Sequence, residues 1–285
     1  MRSGCAVPGP PSGSPAGSRD VTARFRVLYA DAAAGRSVLP PDARRHPVLL
    51  VGGLLTAFYP GYMADTLRHL RRIGVDARRA RVNPQGSVAD NAEALRAGLE
   101  RQPPGRTTVV FAHSKGGVDA TAALSLHPAL RPRVRALVSV QAPFHGSPVA
   151  GDLGRARRVK ALVDRLLVGA LGGHPGAVAD LAVEARRDFL ARHPWAADVP
   201  VLSVATSTRS PLSPFAVSAA WIRRRHGEEN DGLVIARDAV IPGSRVVRLD
   251  DLDHAGPVFS GLPGLAAYRP GPLAEALVAL ALEEE

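Results

Sequence analysis

Apolar residues fall along this chain in short blocks separated by Gly, Pro and charged residues, and the blocks follow two different periods. Near-continuous apolar runs predict strands buried on both faces. PVLLVGG (47–53), RTTVVFA (106–112), RALVSVQA (135–142), VPVLSVATS (199–207) and SRVVRLDDLDH (244–254) are of this kind. TARFRVLYA (22–30) alternates apolar and polar residues and predicts a half-exposed strand, and DARRARV (76–82) predicts a shorter one. Other blocks carry the helical spacing. In MADTLRHLRRIG, Leu67, Leu70 and Ile73 share one face, and Gly74 stops the helix. SVADNAEALRAGLE opens on Ser87 with Asp90 three residues on, which resembles a capping box. GGVDATAALSL (116–126) and GPLAEALVALALEEE (271–285) predict two more helices.

Strands and helices alternating at this spacing predict an α/β fold, a mainly parallel, doubly wound sheet with helices on both faces. Residues 150–195 break the rhythm. RRVKALVDRLLVGAL (157–171) and VADLAVEARRDFLARH (178–193) read as helices with no strand between them, so this segment is expected to be a helical insertion resembling a lid. Residues 1–20, rich in Pro, Gly and Ser, read as a flexible tail, leaving 21–285 as a single domain.

Composition narrows the picture. Hydrophobic residues make up 46% of the 285, enough for one large core and too many for general disorder, and with aromatics at 5% that core must be built from Val, Leu and Ala. The net charge of +10 is almost entirely arginine, since Lys115 and Lys160 are the only lysines. The arginines are scattered without interleaved aromatics, so the charge reads as a solvated surface and no nucleic-acid partner is expected. Cys5 is the single cysteine, which excludes an intramolecular disulfide. The first residues, MRSGCAVPGP, lack an apolar segment of the kind a secretory signal needs, so a cytoplasmic protein is the expectation.

The candidate chemistry lies in VVFAHSKGGVDA (109–120), where an apolar run meets small residues and a helix begins. Ser114 sits in the pattern small-x-Ser-x-Gly, with Ala112 first and Gly116 last. Such a turn needs small residues at both places because two backbones crowd there, and it lifts the serine hydroxyl toward a helix N-terminus. A serine nucleophile needs a base and an orienting acid. Of His127, His145, His174, His193, His226 and His254, only His254 follows the final predicted strand and precedes the last helix. Among the acids, Asp238, Asp250, Asp251 and Asp253 compete with Asp231. Asp231 is the first choice because Gly232 and an apolar pair follow it in a turn pattern. Gly52 and Gly53 close the first strong strand and allow a close backbone approach. The N–H groups of Leu54 and Lys115 are therefore the expected oxyanion donors, with Lys115 projecting its side chain sideways to a salt bridge or to water.

In this order, PVLLVGGLL, VVFAHSKGG, VQAPFHGSPVA, NDGLV and DLDHAG resemble the motifs of α/β-hydrolases of the lipase and esterase kind, over about residues 47–257. HSKGG together with DGLVIARDAVIPGSRVVRLDDLDHA is similar, more closely, to a group of plant and bacterial α/β-hydrolase proteins with no established substrate. The resemblance implies an α/β-hydrolase fold and a serine hydrolase cleaving carboxylic esters, with Ser114, His254 and Asp231 as a triad, no cofactor, and a small-molecule or lipid ester as substrate. It also implies that Gly53 and His145 line the substrate site. Two departures stand out. Gly52 replaces a His that braces the oxyanion loop in bacterial true lipases, and Ala255-Gly256-Pro257 stands where those lipases carry a calcium-ligating Asp, so no metal is expected. The same triad also serves acyl transfer to an alcohol or amine. Arg155, Arg157, Arg158, Lys160 and Arg165 beside Leu and Val make 150–195 a candidate for peripheral membrane contact, or for a helix packed on the sheet. A non-catalytic basic module docking to a membrane or partner through that segment is the reading from another class.

Overall fold

The computed structural model describes residues 17–54, 56, 61–155, 176–196, 198–259 and 267–283. Its strands are β1 (Arg19–Asp20), β2 (Val48–Val51), β3 (Ala77–Arg79), β4 (Thr108–His113), β5 (Val134–Val140), β6 (Val201–Thr206) and β7 (Arg245–Leu249). The helices are α1 (Thr22–Ala33), α2 (Ala64–Arg72), α3 (Val88–Glu100), α4 (Lys115–Leu126), α5 (Pro148–Arg155), α6 (Val183–Arg192), α7 (Ala216–His226) and α8 (Pro270–Leu282). The strands form one seven-stranded sheet in the order β1-β7-β6-β5-β4-β2-β3, and every pairing is parallel.

Side-chain alternation along the strands builds a core on each face. In β4, Val109 and Phe111 join the cluster beneath α1, α2 and α8, whereas Val110 and Ala112 join the cluster beneath α3 and α4. Helix α8 is buried along its whole length, which is why its sequence is apolar on nearly every side, with the buried Glu275 paired to His69 Nε2 at 2.6 Å. Ser87 caps α3 as its sequence predicts, its hydroxyl accepting from the Asp90 N–H at 3.0 Å. Leu70 of α2 is fully buried with Leu67 and Ile73 packed beside it, and Gly74 follows at φ +86°.

Two expectations need correction. Thr22–Ala30 is the start of α1, not a strand. Phe25, Leu28 and Ala32 bury one helical stripe while Val27 is 54% exposed, so burial at spacings of three and four overrides the local alternation. The tail does not run to residue 20, because Arg19–Asp20 pairs with β7 and the Asp20 carboxylate accepts the Thr22 N–H at 2.8 Å to open α1. Within the expected insertion, α5 and α6 are helical, and RRVKALVDRLLVGAL lies outside the described residues. Helix α7, between β6 and Asp231, has no counterpart in the sequence reading.

The connections place the site. From β2 the chain steps outward to β3, then returns across β2 to β4 and continues the other way through β5 to β7. The reversal falls between β2 and β4, and doubly wound sheets bind their ligands at the C-terminal ends of the strands that flank such a switch. Gly52-Gly53-Leu54 leaves one strand there and Ser114 leaves the other.

Candidate active site

The turn between β4 and α4 is sharp because Ser114 adopts φ +56°, ψ −129°, a conformation that a side chain tolerates only where its surroundings enforce it. The enforcement comes from glycines. A Cβ on Gly116 would meet the Val51 carbonyl oxygen and lie 2.7 Å from that of Gly52, and one on Gly53 would lie 2.8 Å from the Ser114 Cβ. The end of β2 and the start of α4 are thus in backbone contact beside the serine. Ala in place of a helical Gly normally stabilises. Gly116→Ala should instead cost about 3 kcal/mol through overpacking against fixed carbonyls, lowering the melting temperature by roughly 5–10 °C. A thermal melt at or above the wild-type midpoint would contradict this packing.

Three of the sequence-predicted residues come together in one hydrogen-bonded chain. His254 Nε2 lies 2.8 Å from Ser114 Oγ, and His254 Nδ1 lies 2.8 Å from Asp231 Oδ2. Asp231 is 1% exposed and His254 7%, while Ser114 remains partly open to solvent. The Asp231 carboxylate is fixed by its own turn, since Oδ1 accepts the N–H groups of Leu233 at 2.9 Å and Val234 at 2.8 Å. Its backbone carbonyl also accepts the His254 N–H at 3.0 Å. Asp231 therefore holds both the ring and the main chain of His254. Two of the competing acids are engaged elsewhere: Asp253 accepts from Ser213, Ala255 and Gly256, and Asp250 from Ser207.

Leu54 stands in the turn after β2, and Lys115 is the first residue of α4, whose opening N–H groups have no partner within the helix. The Lys115 side chain is fully buried, not solvated, and its ammonium donates to both oxygens of Asp119 at 2.8 and 2.9 Å. Asn91 of α3 donates to the same carboxylate at 2.8 Å, so this cluster locks the first turn of α4 against α3. No hydrogen bond joins His145 to Ser114, Asp231 or His254. Its ring packs edge-on against Phe144 with centroids 4.8 Å apart, and its backbone N–H donates to the Asp238 carbonyl. Burial, with the nearby Arg186 charge, lowers its pKa.

Beneath the Ser114–His254–Asp231 chain lies a set of polar residues that the sequence reading passed over. His113, directly before Ser114, is fully buried, with Nδ1 2.5 Å from the Tyr62 hydroxyl and Nε2 2.9 Å from Gln141 Oε1 and 3.1 Å from the His254 carbonyl. Tyr62 in turn accepts the Gly53 N–H at 2.9 Å. Burial, reinforced by His254, pushes the His113 imidazole down to about 3, so the ring is neutral, and burial raises the Tyr62 phenol, which stays protonated. The available signal was a histidine at the end of an apolar run, since buried polar groups need partners. Among the described residues, no group of three or more His, Cys, Asp or Glu is arranged to hold a metal ion, and no helix is long and apolar enough to cross a membrane.

No family model and no curated protein matches the chain. Solved structures do. A metagenomic carboxyl esterase superposes with a TM-score of 0.78 at 24% identity, covering 93% of this chain and 92% of its own. The mature lipase of Bacillus licheniformis gives 0.61 at 25% identity over 75% of this chain and 87% of its own. The lipase of Staphylococcus hyicus gives 0.64 at 13% identity over 85% and 95%.

Proposed function

From the α/β-hydrolase fold that the chain shares with these esterases and lipases, we propose that it is a serine hydrolase of carboxylic esters. One observation carries the reading: the Ser114–His254–Asp231 chain, with both links at 2.8 Å, at a strained turn where β4 ends. In this reading Ser114 Oγ attacks the ester carbonyl and His254 Nε2 takes its proton. Asp231, out of water and held by two N–H groups, keeps the imidazole in the tautomer whose Nε2 accepts and stabilises the imidazolium that forms. The Leu54 and Lys115 N–H groups receive the developing oxyanion. His254 then protonates the departing alcohol, and water attacks the acyl-enzyme by the same route. No cofactor is required.

The substrate is a small-molecule or lipid ester, consistent with the likeness to both an esterase and lipases. A fluorophosphonate probe should modify folded protein once, at Ser114, mapped by peptide mass. An ester series of increasing acyl length then ranks substrates by kcat/KM. Folded protein that the probe leaves unmodified would sink the reading, and product that forms only with an added alcohol or amine would redirect it to acyl transfer.

A further inference from the structure

We propose that Tyr62, His113 and Gln141 are positioning residues that set the oxyanion loop and the His254 loop at a fixed separation across Ser114. The inference rests on the reading of Ser114 and His254 as the reacting pair.

The direction of every hydrogen bond in this array is forced by the backbone groups at its ends. The Gly53 N–H can only donate, so the Tyr62 oxygen accepts it and its O–H points to His113 Nδ1. The carbonyls of His254 and Asp253 can only accept. The first therefore fixes the proton of His113 on Nε2, where it is shared with Gln141 Oε1. The second turns the Gln141 amide nitrogen toward Asp253, at 2.9 Å, and that nitrogen also donates to Thr206. One polar run thus starts at the peptide next to Leu54 and ends on the two peptides that carry His254. The His254 peptide groups are pinned on both sides, N–H by Asp231 and carbonyl by His113.

Backbone strain marks the same residues. Met63, Ser114, Gln141 and Asp251 are the described non-glycine residues with positive φ, between 51° and 56°. Gln141 belongs to the array, Met63 and Ser114 adjoin Tyr62 and His113, and Asp251 opens the loop that carries Asp253 and His254. A conformation disfavoured for side chains persists where the surroundings over-determine it. Tyr62 also answers the missing histidine at position 52: the brace on the oxyanion loop comes from a tyrosine ten residues downstream, through the Gly53 N–H.

Tyr62→Phe removes one oxygen and keeps the ring against Phe259. On a short p-nitrophenyl ester its kcat should fall about 10- to 100-fold with KM within about threefold, the signature of misplaced reacting groups. Gln141→Ala should do the same, and the double variant should lose less than the product of the two. A folded Tyr62→Phe protein with wild-type kcat, or losses that multiply, would overturn the proposal. Long-range 1H–15N spectra of the wild type give a readout independent of turnover. His113 should be neutral with its proton on Nε2 from pH 8 to pH 5, and an Nδ1 proton or a titration in that range would overturn the array even if the variants failed to fold. Wild-type protein without ester turnover or probe labelling would instead overturn the parent reading, and with it any positioning role.

Discussion

Ser114→Ala is expected to lower kcat/KM for a short p-nitrophenyl ester by about 10⁴- to 10⁶-fold while leaving the fold intact. The size follows from what the hydroxyl does. In the proposed mechanism it is the atom that forms the acyl-enzyme. In the same mechanism, water activated by His254 can still attack, which leaves a residual rate. The fold should survive because, among the described residues, Ser114 Oγ hydrogen-bonds only to His254, and the strained φ is imposed by the packing of Gly53 and Gly116, which alanine does not alter. The proposed mechanism makes the serine and histidine one unit, so Ser114→Ala with His254→Ala should be no slower than either alone. Initial rates on protein checked by circular dichroism decide it. A folded Ser114→Ala protein within tenfold of wild type would end the nucleophile assignment.

What could be read from the chain follows from burial. The central strands β2, β4, β5 and β6 have both faces covered, so their sequences are apolar runs that have few other uses. The edges carry no such mark. In β1 neither residue is buried, and in β3 only Ala77 is, with Arg78 and Arg79 exposed beside it. Helix α1 hid in the same way, because Phe25, Val27 and Tyr29 alternate like a strand until the sheet chooses Phe25 and Leu28 to bury. Helix α7 shows only Ala219 and Ile222 buried, too little apolar signal to separate it from a loop.

The site divides along a similar line. Ser114, Asp231 and His254 each sit in a local pattern, a tight turn or a loop between predictable elements, so each was a candidate before any geometry was known. Tyr62, His113 and Gln141 have no common pattern. They meet because β4 and β5 are neighbours and because the Tyr62 hydroxyl reaches the Gly53 N–H, and only that proximity makes a polar array of them. The Lys115–Asp119 pair is intermediate, since a spacing of four on a helix permits the contact but says nothing of its burial.

Asp231→Asn should lower kcat by about 10³- to 10⁴-fold with little change in KM, and the structure says how. The two N–H groups of Leu233 and Val234 require an acceptor at the position of Oδ1. In the variant the amide oxygen must occupy that position, which turns its NH₂ toward His254 Nδ1, 2.8 Å away in the wild type. An N–H donor there drives the imidazole proton to Nε2, and the ring then cannot accept from Ser114. The loss therefore arises from a tautomer exchange in an undisturbed site, and nitrogen spectra of His254 should show the proton moved from Nδ1 to Nε2. Asp251→Asn is the matched control. Asp251 is exposed at φ +55°, a conformation asparagine accepts, and it should keep kcat within about twofold. If Asp251→Asn were crippled and Asp231→Asn were not, the orienting acid would have been placed on the wrong loop.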